Sequence, residues 1–322
     1  MKVLITGITG MVGSHLADYI LNNHPDAEVS GVVRWRSPLD NIRQRLDDIT
    51  LVQGELRDLS SMIQVINQVQ PDRIFHLAAQ SFVPISYESP GDTFTVNVIG
   101  SINLLDAVRN VGIDPMIHMC SSAEVYGNVD ESMVPITENT PFNPASPYAV
   151  SKVGQDMLGS QYHISYGMKI IRTRMFTHSG PRRGNIFAES AFAKQIAEIE
   201  LGVIPGPVMV GNLESIRTYA DVRDAVRAYW ALLDFCSVGE VYNIGGNRTL
   251  TIGEMLEILK SFASVPIEHE VDPSLLRPSD VTLQIPGNSK FREKTGWEPE
   301  YSMEQTMEDL LNFHRERTKA KI

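Results

Sequence analysis

The N-terminal strand and glycine-rich turn constrain the fold of this chain more than any other stretch. The apolar run Lys2-Val3-Leu4-Ile5-Thr6 is typical of a buried parallel strand, and it leads directly to Gly7, Gly10 and Gly13, with a helix beginning near Met11. In this order of elements the helix N-terminus faces an anionic group, and the glycines allow the backbone to approach that group closely. The segment therefore predicts a phosphate-binding turn in an α/β fold.

The alternation of strands and helices continues along the chain. Further strands are predicted at residues 28–33, 49–53, 73–77, 115–120, 169–174 and 242–244, and helices at 60–69, 93–111, 146–152, 186–200, 251–262 and 302–315. This order predicts a doubly wound parallel sheet. We expect a dinucleotide-binding domain over residues 1–175, to which a strand and a helix return from about 219–250, and a smaller, mainly substrate-binding domain over 176–322.

Composition excludes several classes of partner. A formal charge of −11 disfavours binding to nucleic acid or to an anionic membrane. The chain has no run of roughly eighteen apolar residues, and Gly7 and Gly10 interrupt its apolar start, so neither a membrane span nor a signal peptide fits. Cys120 and Cys236 form neither a metal-binding spacing nor a disulfide framework. We therefore expect a cytoplasmic protein that acts on a small molecule and holds no metal.

The loop after the second strand bears on the choice of nucleotide. Residues 28–33 end in Arg34-Trp35-Arg36. Arginine at this position suits a ribose 2′-phosphate, whereas an acidic residue would accept a hydrogen bond from the 2′-hydroxyl. Arg34 and Arg36 therefore favour NADP, and NAD stays possible if the two arginines merely belong to a solvated loop.

Two later strand ends are candidates for further cofactor contacts. Asp58 could meet the adenine amino group or cap the helix that follows it, and the residues favour neither role. Ala78 and Ala79, after the fourth strand, are small enough for a nicotinamide ring to lie against them. His76 lies within the apolar run of that strand and is interpreted as a hydrogen-bonded core residue.

The stretch Ser146-Pro147-Tyr148-Ala149-Val150-Ser151-Lys152 carries a candidate acid–base pair. On a helix, Tyr148 and Lys152 lie one turn apart on the same face. An adjacent ammonium favours the phenolate and lowers a tyrosine pKa from its usual value of about 10. The pair predicts a proton acceptor for a sugar hydroxyl, although a YxxxK spacing alone also fits an ordinary amphipathic helix.

The loop after the fifth strand, Ser121-Ser122-Ala123-Glu124-Val125-Tyr126-Gly127, supplies two further candidates. In a doubly wound sheet, ligands bind beyond the carboxyl ends of the strands, where this loop lies. Ser122 can hydrogen-bond a substrate hydroxyl beside Tyr148. Glu124 can deprotonate a carbon acid, or it can be a solvated loop acid or a helix cap.

Taken together, the motifs TGITGMVG, SSAEVYG and SPYAVSK resemble the extended short-chain dehydrogenase/reductase superfamily over essentially the whole chain. Within it, the sequence is similar to the GDP-mannose 4,6-dehydratases and to the related GDP-4-keto-6-deoxymannose reductases. The dehydratases are indicated by AAQSFVPISYESP at 78–90, HSGPRRG at 178–184, GNLESIR at 211–217 and RPSDV at 277–281.

The resemblance implies a Rossmann fold of the extended type, NADP as cofactor, a GDP-hexose substrate, and a homodimer or homotetramer. Its catalytic residues would be Ser122, Glu124, Tyr148 and Lys152. Cofactor-binding residues would be Gly7, Gly10, Met11, Val12, Gly13, Arg34, Arg36, Asp58, Leu59, Leu77, Ala78, Ala79, Tyr148, Lys152, His178 and Arg183. Substrate-binding residues would be Ser81, Ser122, Glu124, Thr177, Asn212, Arg217 and Arg277, the two arginines standing in loops where they could clamp a diphosphate.

The sequence departs from the dehydratase pattern in several places. Ser122 replaces the usual threonine, and Thr177 replaces the usual asparagine. The glycine-rich turn reads GxxGxxG rather than GxGxxG, which departs from the ordinary dehydrogenase fingerprint. The compact length and the run YADVRD at 219–224 favour the reductases. Epimerases share Tyr148 and Lys152 but usually have a small or neutral residue at Glu124. A dehydratase is therefore favoured, with a 4-reductase as the alternative and a 4-epimerase less favoured; a regulatory protein without turnover would not need Ser122, Tyr148 and Lys152 together.

Overall fold

The structure is a computed structural model, and it describes residues 1–276 and 283–321. The strands of this described part are β1 (Lys2–Thr6), β2 (Glu28–Val33), β3 (Thr50–Gln53), β4 (Arg73–His76), β5 (Met116–Ser122), β6 (Ile170–Met175), β7 (His178–Ser179), β8 (Val208–Val210), β9 (Ile216–Asp221), β10 (Val241–Ile244), β11 (Arg248–Thr251), β12 (His269–Val271) and β13 (Leu283–Gln284).

The helices alternate with the strands over the first half of the chain and gather in its C-terminal part. They are α1 (Met11–Asn23), α2 (Leu59–Val69), α3 (Val83–Glu88), α4 (Pro90–Phe94), α5 (Gly100–Val111), α6 (Pro147–Tyr166), α7 (Ala188–Glu200), α8 (Val222–Phe235), α9 (Ile252–Ser261), α10 (Ser289–Thr295) and α11 (Met303–Lys319). A π-helical turn, Thr95–Ile99, joins α4 to α5, so the helix predicted from residue 93 contains an irregularity. Within the described ranges, no helix combines the length and apolar character needed to cross a bilayer.

Seven parallel strands form the central sheet in the order β3-β2-β1-β4-β5-β6-β10. β1 pairs with β2 on one side and with β4 on the other, so the chain reverses its direction of travel across the sheet at β1. In open sheets of this kind, ligands bind beyond the carboxyl ends of the strands at such a reversal. The doubly wound parallel sheet predicted from the sequence is confirmed.

Both faces of the sheet are buried, which explains the continuous apolar runs of its strands. One hydrophobic core joins β1 and β2 to α1, α8 and β10, and a second core joins the opposite face to α2, α5 and α6. Val3, Leu4 and Ile5 are fully buried between these two cores. His76 is also buried, and it hydrogen-bonds Thr6 and Ser101, which confirms its interpretation as a core residue.

The C-terminal elements form a smaller layer beyond the edge of the sheet. α7, α9 and α11 pack around a third core with β8, β9 and β11. β9 pairs with β11 antiparallel and with β13 and β7 parallel, while β8 pairs with β12. β10 and α8 pack in the first core of the large sheet. In the chain, however, they come after β8 and β9, which belong to the smaller layer. The boundary near residue 175 stays a prediction.

Candidate active site

A cleft of about 1390 Å³ lies at the carboxyl edge of the central sheet, between this edge and the smaller layer. Its walls come from the N-terminal turn, from the loops after β4, β5 and β6, and from β9 and β13. Most of the residues predicted for the site line it: Gly7, Gly10, Met11, Val12, Gly13, Arg34, Leu77, Ala78, Ala79, Ser81, Ser122, Glu124, Tyr148, Lys152, Thr177, His178, Arg183, Asn212 and Arg217.

The glycine-rich turn is shaped by contacts that only glycine permits. Gly7 has a φ of 76°, and a Cβ added there would lie 2.9 Å from the backbone of Ala78. A Cβ at Gly13 would lie 2.3 Å from the Gly7 carbonyl oxygen. Gly10 is the N-cap of α1 and gives it no side-chain cap, so the N–H groups of the first turn face the cleft as donors for a phosphate.

Three of the residues predicted to bind the cofactor do not line the described part of the cleft. The Asp58 carboxylate accepts a hydrogen bond of 2.7 Å from the Ser61 N–H, so of its two possible roles it takes that of N-cap of α2. Leu59 is the first residue of that helix. The Arg36 guanidinium stacks over the Trp35 ring at 4.1 Å, whereas Arg34 lies in the cleft wall. The site therefore presents one arginine of the predicted pair.

Helix α6 places Tyr148 and Lys152 on one face, as the spacing predicts. Ser146 caps the helix by accepting a hydrogen bond of 3.1 Å from the Ala149 N–H, and Pro147 occupies its first turn. Tyr148 and Lys152 are 8% and 5% exposed, and both border the cleft. The helix packs against β5, and this contact brings the pair beside the Ser122 loop.

The expected effect of Lys152 on Tyr148 is not found. Burial raises the pKa of the Tyr148 phenol, and it outweighs a hydrogen bond with Ser122 and the positive charge of Arg183, which act in the opposite direction. Lys152 donates instead to the Cys120 carbonyl oxygen at 2.8 Å and to Gln155 Oε1 at 2.7 Å. Lys152 is not among the groups that lower the pKa of Tyr148, and burial keeps Tyr148 as a neutral phenol.

Ser122 and Glu124 adjoin this pair. Ser122 ends β5, and its hydroxyl accepts a hydrogen bond of 3.2 Å from the Glu124 N–H at the start of a 3₁₀ turn. The Glu124 carboxylate accepts a hydrogen bond of 3.1 Å from the Gln284 side chain on β13. Its negative charge also raises the pKa of Tyr148. The carboxylate therefore lies within electrostatic reach of the phenol.

Two of the predicted substrate residues, Asn212 and Arg217, line the cleft from the smaller layer. Arg217 was expected in a loop but lies on β9, because the run Ile216–Asp221 contains β-branched and aromatic residues that pair with β11. Arg217 is buried and stands opposite Gln284 in the register of β9 and β13. Asn212 donates to Ser215 Oγ at 3.0 Å, and Ser81 and Thr177 line the cleft. Arg277 lies outside the described residues.

His178 and Arg183 follow β6 and complete the wall near Tyr148. The His178 Nδ1–H donates to the Phe176 carbonyl oxygen at 3.1 Å, and burial, reinforced by Arg183, lowers the pKa of His178 to about 4. His178 is therefore neutral at pH 7. Arg183 lies 3.6 Å over the Phe187 ring and pairs with Glu189 at 3.2 Å. Its charge lowers the pKa of Tyr148, a link that sequence reasoning did not foresee.

Sequence reasoning also missed two glutamines that hydrogen-bond the candidate catalytic residues Lys152 and Glu124. Gln155 follows Lys152 by three residues, a spacing that places both on one helix face, so the signal was present in the sequence. Gln284 lies 160 residues from Glu124, and the two meet only in the folded structure, where Gln284 is on β13 and Glu124 is in the loop after β5. No local pattern could have identified that contact.

Comparisons with known proteins agree with this geometry. The family model for GDP-mannose 4,6-dehydratase matches residues 4–310. The GDP-mannose 4,6-dehydratase of Yersinia enterocolitica is 33% identical, with 96% of this chain and 92% of the relative covered. The GDP-6-deoxy-D-mannose reductase of Pseudomonas aeruginosa is 31% identical, with 99% and 98% covered.

Solved structures of related enzymes share the fold of this chain. RMD from Pseudomonas aeruginosa, complexed with NADPH, has a TM-score of 0.85 and 29% identity, with 98% of this chain and 99% of that one covered. The UDP-glucose 4-epimerase of Thermotoga maritima with UDP-glucose has a TM-score of 0.88 and 27% identity, with 99% and 100% covered. From the match over residues 4–310 and the shared fold, this chain belongs to the GDP-mannose 4,6-dehydratase family of the extended short-chain dehydrogenases/reductases.

Proposed function

We propose that this protein is a nucleotide-sugar 4,6-dehydratase that converts GDP-mannose to GDP-4-keto-6-deoxymannose with NADP. The observation that carries the proposal is the Glu124 carboxylate, which lines the cleft beside Ser122 and Tyr148. Removing water across C5 and C6 of a hexose requires a base at C5, whereas a 4-reductase or a 4-epimerase has no use for one. The family match and the similarity to several dehydratases support the same reaction.

The first step is oxidation at C4 of the hexose. Ser122 and Tyr148 hydrogen-bond the C4 hydroxyl, and the Tyr148 oxygen accepts its proton as the C–H bond breaks. NADP⁺, when bound, would supply the hydride chemistry, namely acceptance from C4 and return to C6. Because burial raises the pKa of Tyr148, the step needs added positive charge near the phenol, and the cationic nicotinamide ring is one source of it.

The second step is elimination. The C4 ketone acidifies the C5 proton, which the Glu124 carboxylate removes, and water leaves from C6 with Glu124 or Ser122 assisting its protonation. Gln284 holds the carboxylate from the side of β13, so it fixes the orientation of the base. The neutral amide does this without adding a charge that would compete with the proton from C5.

The two ends of the cleft suit the two nucleotides. The turn of Gly7, Gly10 and Gly13 and the side chain of Arg34 suit the pyrophosphate and 2′-phosphate of NADP. The similarity to a structure solved with NADPH supports this choice. Arg217 lines the cleft from β9, which supports a role for its guanidinium in binding the diphosphate of the nucleotide sugar.

Two observations favour a second candidate, an NADPH-dependent 4-reductase of GDP-4-keto-6-deoxymannose. The chain covers 98% of a GDP-6-deoxy-D-mannose reductase at 31% identity. Tyr148 is moreover held as a phenol, the form that donates a proton to a carbonyl oxygen receiving hydride. In this reaction Glu124 has no required role.

Incubation with GDP-mannose and no added reductant separates the two reactions. A dehydratase containing NADP releases one water per sugar, which mass spectrometry detects as loss of water from the product. A reductase leaves GDP-mannose unchanged and instead consumes stoichiometric NADPH with the 4-keto sugar. Absence of water loss from enzyme of verified cofactor content would reject the dehydratase.

We also propose a homodimer or homotetramer. Val150, Met157 and Ile164 recur every seven residues on α6, and they are 42%, 42% and 78% exposed. This apolar stripe supports self-association through the helices on one side of the sheet. Sedimentation of the purified protein measures the assembly directly.

A further inference from the structure

A chain of buried hydrogen bonds starts at Lys152 and runs beneath the cleft. Lys152 Nζ donates to Gln155 Oε1 at 2.7 Å, and Gln155 Nε2 donates to Ser101 Oγ at 3.0 Å. His76 Nε2 lies 2.9 Å from the same Ser101 oxygen, and His76 Nδ1 lies 2.9 Å from Thr6 Oγ1. All five side chains are at most 5% exposed, so each of these contacts is shielded from water.

The direction of every bond in this chain follows from its donors. The Ser101 hydroxyl donates to the Asn97 carbonyl oxygen at 2.6 Å, so it accepts from both Gln155 and His76. His76 therefore carries its proton on Nε2, and its Nδ1 accepts from the Thr6 hydroxyl. Burial lowers the pKa of His76 to about 3, in agreement with this neutral tautomer.

The same assignment fixes the amide of Gln155. Its NH₂ group faces Ser101, and its carbonyl oxygen therefore faces the Lys152 ammonium. Rotating the amide would set two donors against each other at Lys152. The orientation of Gln155 is thus determined by the partners on both sides.

The far end of the chain returns to the cleft. Thr6 Oγ1 accepts from the N–H groups of Leu77 and Ala78 at 3.2 Å each, and both residues line the cleft. Ala78 also packs against Gly7 in the glycine-rich turn. The hydrogen bonds therefore connect the proposed catalytic lysine to the turn proposed to bind the cofactor.

Lys152 itself has three N–H donors. In the described part of the chain, the Cys120 carbonyl oxygen and Gln155 Oε1 take two of them. Lys152 also borders the cleft, so the third donor serves a group bound there. Two fixed acceptors determine where that third N–H points.

We propose that Gln155 is the positioning residue for Lys152, holding it as a cation whose remaining N–H is directed into the cleft. This inference rests on the proposed function with NADP as cofactor, for which Lys152 is one of the predicted cofactor-binding residues. Gln155 does not itself line the cleft. A residue that served only in packing would not need to be polar, so the proposal explains why a glutamine stands there.

The proposal predicts opposite effects for two substitutions. Burial lowers the pKa of Lys152. Gln155→Met removes an acceptor and lowers that pKa further, whereas Gln155→Glu adds a negative charge and raises it. The other titratable groups that interact electrostatically with Lys152 are Cys120 and His118 on β5 and His76 on β4, while Tyr148 lies one turn away on the same face of α6. Both variants leave these groups in place.

The dissociation constant of NADPH, measured by fluorescence from about pH 7 to pH 10, tests the proposal without turnover. We expect affinity to weaken by about tenfold where Lys152 loses its proton, since a charge-assisted hydrogen bond is lost. The pH at which NADPH binding weakens should be lower by about one unit in Gln155→Met and higher by about one unit in Gln155→Glu. Gln68→Met, at an exposed position of α2, is the matched control and should follow the wild type.

Unchanged profiles, or shifts of both variants in the same direction, would overturn the proposal. Circular dichroism verifies that each variant is folded. If Gln155→Met does not fold, the upward shift of Gln155→Glu decides alone, and an unshifted profile rejects Gln155 as the positioning residue. Because binding is measured without GDP-mannose, this failure is distinct from failure of the proposed function, which shows as absence of water loss in the wild type.

Discussion

At the scale of single residues, Glu124 distinguishes the candidate reactions and Tyr148 does not. Tyr148 serves any reaction that oxidises or reduces a carbinol carbon, since it needs only to exchange a proton with the oxygen. Glu124 contacts Gln284 and borders the phenol, so its carboxylate is placed for a second proton transfer. That second transfer occurs in the dehydratase reaction alone.

Glu124→Gln is therefore the most informative substitution. It keeps the shape of the side chain and removes the base, so we expect water loss to fall by about 10²–10⁴-fold. Binding of NADPH should be unchanged, because the side chain belongs to the catalytic loop and not to the glycine-rich turn. Mass spectrometry of the product and fluorescence titration of NADPH measure the two effects, and full water loss by the variant would exclude Glu124 as the base.

At the scale of elements, the glycine-rich turn depends on the contact between Gly13 and the Gly7 carbonyl. Gly13→Ala would place a Cβ 2.3 Å from that oxygen, and backbone cannot move aside as a flexible side chain does. We expect the variant to lose about 1–3 kcal/mol of unfolding free energy and to bind NADPH more weakly.

Gly91→Ala is the matched control for this substitution. A Cβ at Gly91 would have nothing within 4 Å, and the residue lies in α4. Its unfolding free energy and NADPH affinity should stay near those of the wild type. Urea unfolding and NADPH titration of both variants check the prediction, and equal behaviour of the two would show that the close approach at Gly13 is not essential.

The regular elements of the large sheet could be predicted because their sequence signals are local. The run Lys2–Thr6 and the turn after it are read directly from apolar and glycine positions. α9 and α11 begin within one residue of their predicted starts, with Thr251 and Ser302 as N-caps. The apolar pattern predicts that α11 ends at residue 315, but the helix continues to Lys319. Its last turn is mainly polar, so an apolar pattern gives no signal there. β13 has only two residues, too few to show a period.

The contacts that control the chemistry could not be predicted from the sequence as readily. Tyr148 was expected to have a lowered pKa because its spacing from Lys152 is visible in the sequence, but its burial is not, and burial dominates. A buried Asp156 similarly bridges Arg172 and Arg174 at 2.8 Å each, and so fastens α6 to β6. Such pairings depend on sheet register and helix packing, which a spacing rule does not contain.

At the scale of the whole molecule, buried histidines should control stability in mild acid. Burial lowers the pKa values of six histidines from their usual 6.5, among them His76 and His118 to about 3, and His15, His178 and His314 to about 4. Between these values and 6.5 the unfolded chain binds more protons than the folded one. Stability is therefore full above pH 6.5 and falls as the pH decreases.

His76 and His118 are fully buried, and we expect each of them to lower the free energy of unfolding by about 2 kcal/mol between pH 6.5 and pH 5. Urea unfolding at pH 7 and at pH 5 measures the loss. His118→Gln should reduce the pH dependence, while His269→Gln, at an exposed position, should leave it unchanged. Equal stability of the wild type at the two pH values would contradict the neutral, buried state of these histidines.

The measurement that tests the proposed function most directly follows the hydride. GDP-mannose labelled with deuterium at C4 is incubated with enzyme containing NADP and no added reductant, and the product is examined by mass spectrometry and NMR. We predict loss of one water, with the deuterium retained in the product at C6. Unchanged GDP-mannose, with reduction of the 4-keto sugar at the expense of added NADPH, would contradict the dehydratase and identify the 4-reductase.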